Sequence, residues 1–131
     1  MVKNLDIMSI VILCFFHSDP EKASILHEID LTIRDMTYCQ NAMDNATDDY
    51  YSEEKEEFYS DGLFCAGGEK GKDACSGDSG SAIFTKQEKE VIQIGLVSGT
   101  PGNMECGAEG VPTFYTRVQY YLKWILDNME E

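Results

Sequence analysis

Hydrophobic positions change their spacing several times along the chain, and each change predicts an element. Residues 7–16 are an almost unbroken apolar run of ten, too short to span a bilayer. Two readings of it stand. Lys3 before the run suits a signal-peptide n-region, although Asp6 is atypical and no small-x-small cleavage site follows. Alternatively the β-branched and aromatic content, Ile-Val-Ile-Leu-Cys-Phe-Phe, suits a buried strand. After a turn at Asp19-Pro20, residues 24–33 alternate, with Ile25, Ile29, Leu31 and Ile33 apolar, which predicts a strand. Asp35 is placed to cap a short helix over 36–43. Residues 81–85 and 91–98 predict two further strands, and 100–111, with Pro101 and Cys106, reads as loop. From Val118 the period becomes helical: Val118, Tyr121, Leu122, Ile125 and Met129 share one face. The pattern describes a mostly β domain closed by a C-terminal helix.

A length of 131 residues allows one domain with a real core, and 43% hydrophobic residues make it globular. The net charge of −14 excludes phosphate-backbone binding, which needs a surplus of Lys and Arg, so no nucleic-acid partner is expected. Half of that charge comes from 44–61, where eight carboxylates face one Lys55. Such a tract reads as a solvated surface loop, and it lacks the spacing and glycine of a calcium-binding EF-hand. Asn45-Ala46-Thr47 is an N-glycosylation acceptor if the chain is secreted.

Five cysteines, Cys14, Cys39, Cys65, Cys75 and Cys106, show no C-x-x-C spacing, so neither a zinc site nor a thioredoxin-type site is expected. The last four suffice for two disulfides and an oxidising compartment. Cys14 is left over inside the apolar run.

The candidate chemistry lies in Gly77-Asp78-Ser79-Gly80. A serine hydroxyl becomes a nucleophile once a base takes its proton. Flanking glycines let two backbone N–H groups converge on one oxyanion. The motif is not the α/β-hydrolase elbow, which needs a glycine where Ser81 stands.

Around that tetrapeptide stand Leu26-His-Glu-Ile-Asp-Leu31, Phe64-Cys-Ala-Gly-Gly68, Lys72-Asp-Ala-Cys-Ser-Gly-Asp-Ser-Gly80, Ile94-Gly-Leu-Val-Ser98, Cys106, Phe114-Tyr-Thr-Arg-Val118 and Trp124-Ile125. Over residues 25–131 the set resembles the C-terminal half of a chymotrypsin-family, trypsin-like serine protease. The resemblance implies a mostly β fold: a six-stranded Greek-key barrel, the second barrel of that family, with a C-terminal α-helix. It divides the chain into a signal-like or displaced apolar segment, 1–18, and a partial peptidase domain, 19–131. It implies Ser79 as nucleophile and the N–H groups of Gly77 and Ser79 as oxyanion hole. Asp78 corresponds to the carboxylate that pairs with a new N-terminus on zymogen activation. Asp73 corresponds to the base of the specificity pocket, selecting Arg or Lys by charge. Ser98, Gly99 and Thr100 correspond to the strand that pairs with substrate backbone and to the pocket wall. Cys39–Cys65 and Cys75–Cys106 are the implied disulfides.

The departures are equally specific. Thr113 stands where a glycine often lines the pocket, and would narrow it. Ser81-Ala82 replaces the usual Gly-Pro, Thr85 replaces a frequent cysteine, and the acidic tract lengthens the Cys39–Cys65 interval. The loop from Ser98 to Cys106 is also longer than usual. The family's base histidine and orienting aspartate belong to an N-terminal barrel, and the two histidines here, His17 and His27, lack the Ala-Ala-His-Cys context. There is also no Ile-Val-Gly-Gly start for Asp78 to capture.

The implied activity is that of a secreted serine endopeptidase acting on proteins or peptides, with inhibitors as further partners and no cofactor, metal or membrane span. The base and the aspartate would come from elsewhere, such as a separate N-terminal barrel. The alternative is an inactive, secreted, protease-like binding module or a truncated fragment.

Overall fold

The computed structural model describes residues 8–12, 27–46, 61–102 and 104–129. Cys14, His17, Thr47 and the acidic tract 47–60 lie outside them. Among the described residues, the strands β1 (Met8–Ile12), β2 (His27–Leu31), β3 (Leu63–Gly67), β4 (Ala82–Gln87), β5 (Glu90–Gly99) and β6 (Pro112–Arg117) form one antiparallel sheet. Their order across the sheet is β2-β1-β4-β5-β6-β3. Over Met8–Ile12 the apolar run takes its strand form, paired with β2 on one side and β4 on the other.

The two edges of the sheet meet. Ile33, just past β2, bridges Ala66 in β3. The Arg34 N–H donates to the Cys65 carbonyl at 3.0 Å, and the Gly67 N–H donates to the Thr32 carbonyl at 2.9 Å. The sheet therefore curls round on itself, which hides edge groups that would otherwise pair with another chain. The Arg34 side chain fastens this seam: its Nε donates to the Gly67 carbonyl at 2.7 Å, and its guanidinium lies 4.8 Å from the Tyr38 ring centroid.

Inside the curl, Leu31, Phe64, Ala66, Ala74, Ile83, Val97 and Tyr115 form one buried cluster. Phe64 and Tyr115 stack at 5.3 Å between centroids. Burial of such rings and aliphatic chains supplies roughly 1.5–3 kcal/mol each before entropic costs. Cys39, Cys65 and Phe114 form a second cluster beneath α1 (Met36–Ala46). Asp35 caps α1 as its position predicts, accepting the Tyr38 N–H at 2.8 Å. The helix runs one turn beyond its expected end, and Gln40 donates to Asp44 at 2.9 Å on its last turns. The Cys39–Cys65 disulfide joins α1 to β3.

The C-terminal segment differs from its expected form. Residues Val118–Tyr121 are a 3₁₀ turn, and only Leu122–Asp127 is α-helix (α2). None of the residues in either is buried, and Trp124 is 66% exposed. The apolar stripe exists in the sequence, but only Val118 and Ile125 of it are half-buried, and Tyr121, Leu122 and Met129 are exposed. No helix among the described residues is long and apolar enough to cross a membrane.

Candidate active site

The Gly-Asp-Ser-Gly tetrapeptide forms a tight turn feeding β4. The Asp78 N–H donates to the Cys75 carbonyl at 2.9 Å, and the Ser81 N–H donates to the Asp78 carbonyl at 2.9 Å. Gly77 and Gly80 have φ of +99° and +84°, a region costly for residues with a Cβ. The turn is bound to β5 from both sides: Gly80 N–H donates to the Val97 carbonyl, and Val97 N–H donates to the Ser81 carbonyl, each at 2.9 Å. Ser79 is left exposed at its tip, while Asp78, one residue earlier, is fully buried. The Asp78 carboxylate folds back and accepts the Cys75 N–H at 2.7 Å. The N–H groups of Gly77 and Ser79 make no backbone–backbone hydrogen bond with any described residue.

Beside the turn lies a cavity of about 170 Å³, lined among others by Ser79, Val97, Gly99, Thr100, Met104 and Thr113. The Cys75–Cys106 disulfide spans it, tying the Ser79 loop to the loop before β6. Close backbone contacts brace the same two loops. The Gly71 N–H donates to the Gly107 carbonyl at 2.8 Å, and a Cβ on Gly107 would lie 3.3 Å from the Gly71 Cα. Gly110 N–H donates to the Gly68 carbonyl at 3.0 Å.

Asp73 is half-buried and immediately precedes the cavity-lining residue Ala74. Its Oδ1 accepts the hydroxyl of Thr113, and its Oδ2 accepts the Gly107 N–H at 3.0 Å. Burial pushes the Asp73 carboxyl above its ordinary range, opposed by the bonds from Gly107 and Thr113. The Tyr115 phenol, wholly buried, is raised for the same reason, reinforced by the charges of Asp73 and Asp78.

The structure thus gathers Ser79, Gly99, Thr100 and Thr113 around one cavity, with Gly77 on the turn and Asp73 bonded to Thr113. Ser98 is not in that group. It is exposed, because β5 alternates and Val97 takes the inward position. The pairing of β5 with β6 is also irregular between Val97 and Gly99. His27 lies exposed on β2, and no histidine lines the cavity among the described residues. Asn45 is exposed near the end of α1. The disulfides Cys39–Cys65 and Cys75–Cys106 are the pairs implied by the family resemblance. Sequence reasoning missed Gly107 and Met104, and only the adjacency of Gly107 to Cys106 hinted at the former. Among the described residues no group of three or more His, Cys, Asp or Glu is placed to hold a metal. A larger cavity, about 470 Å³, shares no residue with this one and is lined largely by apolar side chains such as Ile33, Phe64, Ile92 and Leu122.

Comparison with known proteins agrees with this geometry. The sequence model of the trypsin family matches residues 16–125. The CLIP domain-containing serine protease B4 of Anopheles gambiae is 49% identical over 65 residues, 50% of this chain and 18% of that protein. The phenoloxidase-activating enzyme of Bombyx mori is 44% identical over 69 residues, 53% of this chain and 15% of that protein. Complement C1s subcomponent of Bos taurus is 40% identical over 77 residues, 56% of this chain and 10% of that protein. The matched stretches therefore cover less than a fifth of each of these relatives.

Proposed function

The chain belongs to the trypsin family, and from that premise we propose that it carries the nucleophile half of a serine endopeptidase site acting on proteins or peptides. One observation carries the reading: an exposed Ser79 at a glycine-flanked turn, beside a cavity. In the proposed reaction the Ser79 Oγ attacks the scissile carbonyl carbon while a histidine base takes its proton. The oxyanion accepts hydrogen bonds from Gly77 and Ser79. The base then returns the proton to the leaving amine as the C–N bond breaks, leaving an acyl-enzyme that water hydrolyses. Residues 98–100 pair with the substrate backbone, and a carboxylate at Asp73 favours an Arg or Lys side chain. Asp78 is the partner of a new N-terminus formed on activation. The base and its orienting aspartate come from a separate N-terminal barrel. The two disulfides support an oxidising, extracellular location, where Asn45 would accept a glycan.

The test is an assay of the chain combined with a trypsin-type N-terminal barrel carrying the base, using an Arg-amide substrate. Ser79-dependent hydrolysis is expected, with Ser79→Ala lowering kcat by about 10⁶-fold. A combination that shows no such hydrolysis sinks the reading. A second reading, a non-catalytic module that binds proteins through the same cleft, is favoured by the lack of a histidine at the cavity among the described residues. It predicts that Ser79→Ala leaves the protein's measurable behaviour unchanged.

A further inference from the structure

The larger cavity, about 470 Å³, shares no lining residue with the one beside Ser79. It lies between the seam after β2, the first half of β5 and the turn that follows β6. Ile33, Phe64, Ile92, Ile94 and Leu122 give it apolar walls. Small-molecule sites of roughly 300–1,000 Å³ combine such walls with a few placed polar groups. Here the cations on the lining are Arg34 and Arg117.

Their charges are met differently. Arg34 has the Glu69 carboxylate at 3.5 Å. Arg117 is half-buried, its guanidinium 5.3 Å from the centroid of the Phe64 ring. Its Nε donates to the Asp61 carbonyl at 3.1 Å, and its Nη2 donates to the Leu63 carbonyl at 3.3 Å. Both acceptors are neutral. Among the described residues Arg117 has no carboxylate partner, and its Nη1 has no acceptor. The remaining charged group on the lining, Asp35, is exposed and uses one oxygen to cap α1. A half-buried cation against apolar walls, without a counter-charge, is unfavourable until an anion joins it. A guanidinium suits a carboxylate in particular, through two parallel N–H···O bonds.

We propose that this cavity binds a small amphipathic carboxylate, of which a free medium-chain fatty acid is the simplest case. The carboxylate meets the Nη1 side of Arg117, and the alkyl tail lies along Ile92, Ile94, Leu122 and the Phe64 ring. Ile92 and Leu122 are 40% and 46% exposed without a ligand, so covering them adds affinity. A neutral lipid would cover the walls and leave Arg117 without its counter-charge. A short carboxylate would satisfy Arg117 and leave the walls wet. The site goes beyond the proposed peptidase reaction and uses none of its residues.

The test is calorimetric titration of the full chain with decanoate, with decanol and acetate as controls. Decanoate should bind about tenfold tighter than decanol, the worth of a charge-assisted hydrogen bond at a half-exposed group. From hexanoate to decanoate each added methylene should tighten binding about two- to fourfold, while acetate binds weakest. Arg117→Gln should remove the preference over decanol and leave decanol binding where it was. Because Arg117 also holds two backbone carbonyls, a second variant tests the walls without touching it. Ile92→Asn, at an exposed position of β5, should weaken decanoate about fivefold. Four results overturn the proposal: decanol binding as tightly as decanoate, a preference that survives Arg117→Gln, indifference to Ile92→Asn, or no binding of decanoate. A dimer in sedimentation that decanoate does not dissociate would put a second copy in the groove and overturn it too.

Discussion

Gly95 on β5 lies against the ring of Phe64 so closely that a Cβ there would sit 2.8 Å from Cε1 and 2.9 Å from Cζ. Ile83 closes the other side, its Cγ2 2.9 Å from the same point. Phe64, Ile83 and their neighbours fill the interior, so the glycine is a packing requirement. Gly95→Ala should cost about 1–3 kcal/mol through overpacking, read as a lower urea midpoint. Gly99, four residues on, has open space where its Cβ would be. Gly99→Ala should stay within about 0.5 kcal/mol of wild type while intruding on the Ser79 cavity. Equal losses at the two glycines would contradict this packing.

Arg34 closes the seam between β2 and β3 by three contacts at once: a hydrogen bond to the Gly67 carbonyl, an ion pair with Glu69 at 3.5 Å and a stacked position on Tyr38. Arg34→Ala should cost about 1.5 kcal/mol, the low end for a charged hydrogen bond because the group is partly exposed. Arg34→Lys should recover little, since an ammonium cannot make the fork-and-stack geometry. Full recovery by lysine in chemical denaturation would show that charge alone matters here.

The Cys75–Cys106 bond closes a sequence separation of 31 residues and joins two walls of the Ser79 cavity. Replacing both cysteines by serine should lower stability by about 2–5 kcal/mol. Unchanged stability would mean that the backbone bonds between these loops suffice.

Burial raises the Asp73 carboxyl above its ordinary value of 3.8. The folded protein then binds a proton more readily than the unfolded chain, so the stability contribution of Asp73 is fully present below pH 3.8. It is lost as pH rises through the raised folded value. The difference in unfolding free energy between wild type and Asp73→Ala should therefore shift against wild type as pH rises from 3.8 toward neutrality. A difference that moves the other way would place Asp73 in a more polar environment than the structure does.

How far the sequence reached depends on which signals are local. The Asp35 cap, β2, β4 and β5 announce themselves through a capping residue or a visible apolar pattern, and all four stand in the structure. Pattern reading alone gave no strand at β3 or β6. Both are buried over four consecutive residues, Phe64–Gly67 and Pro112–Tyr115, so no alternation marks them. They were visible only as pieces of a family motif. The same motif pointed to Ser79, to Asp73 and to both disulfide pairs.

The chain's residues by themselves determined a mostly β protein with a glycine-flanked serine, four pairable cysteines and a threonine at 113, because each of these is a property of residue type and spacing. Only the tertiary structure decided that Thr113 and Gly107, 40 and 34 residues from Asp73, both bond its carboxylate. The physical reason is that strand pairing and a disulfide between distant segments set those contacts. Hydrogen bonds across such separations leave no trace in any local window of sequence.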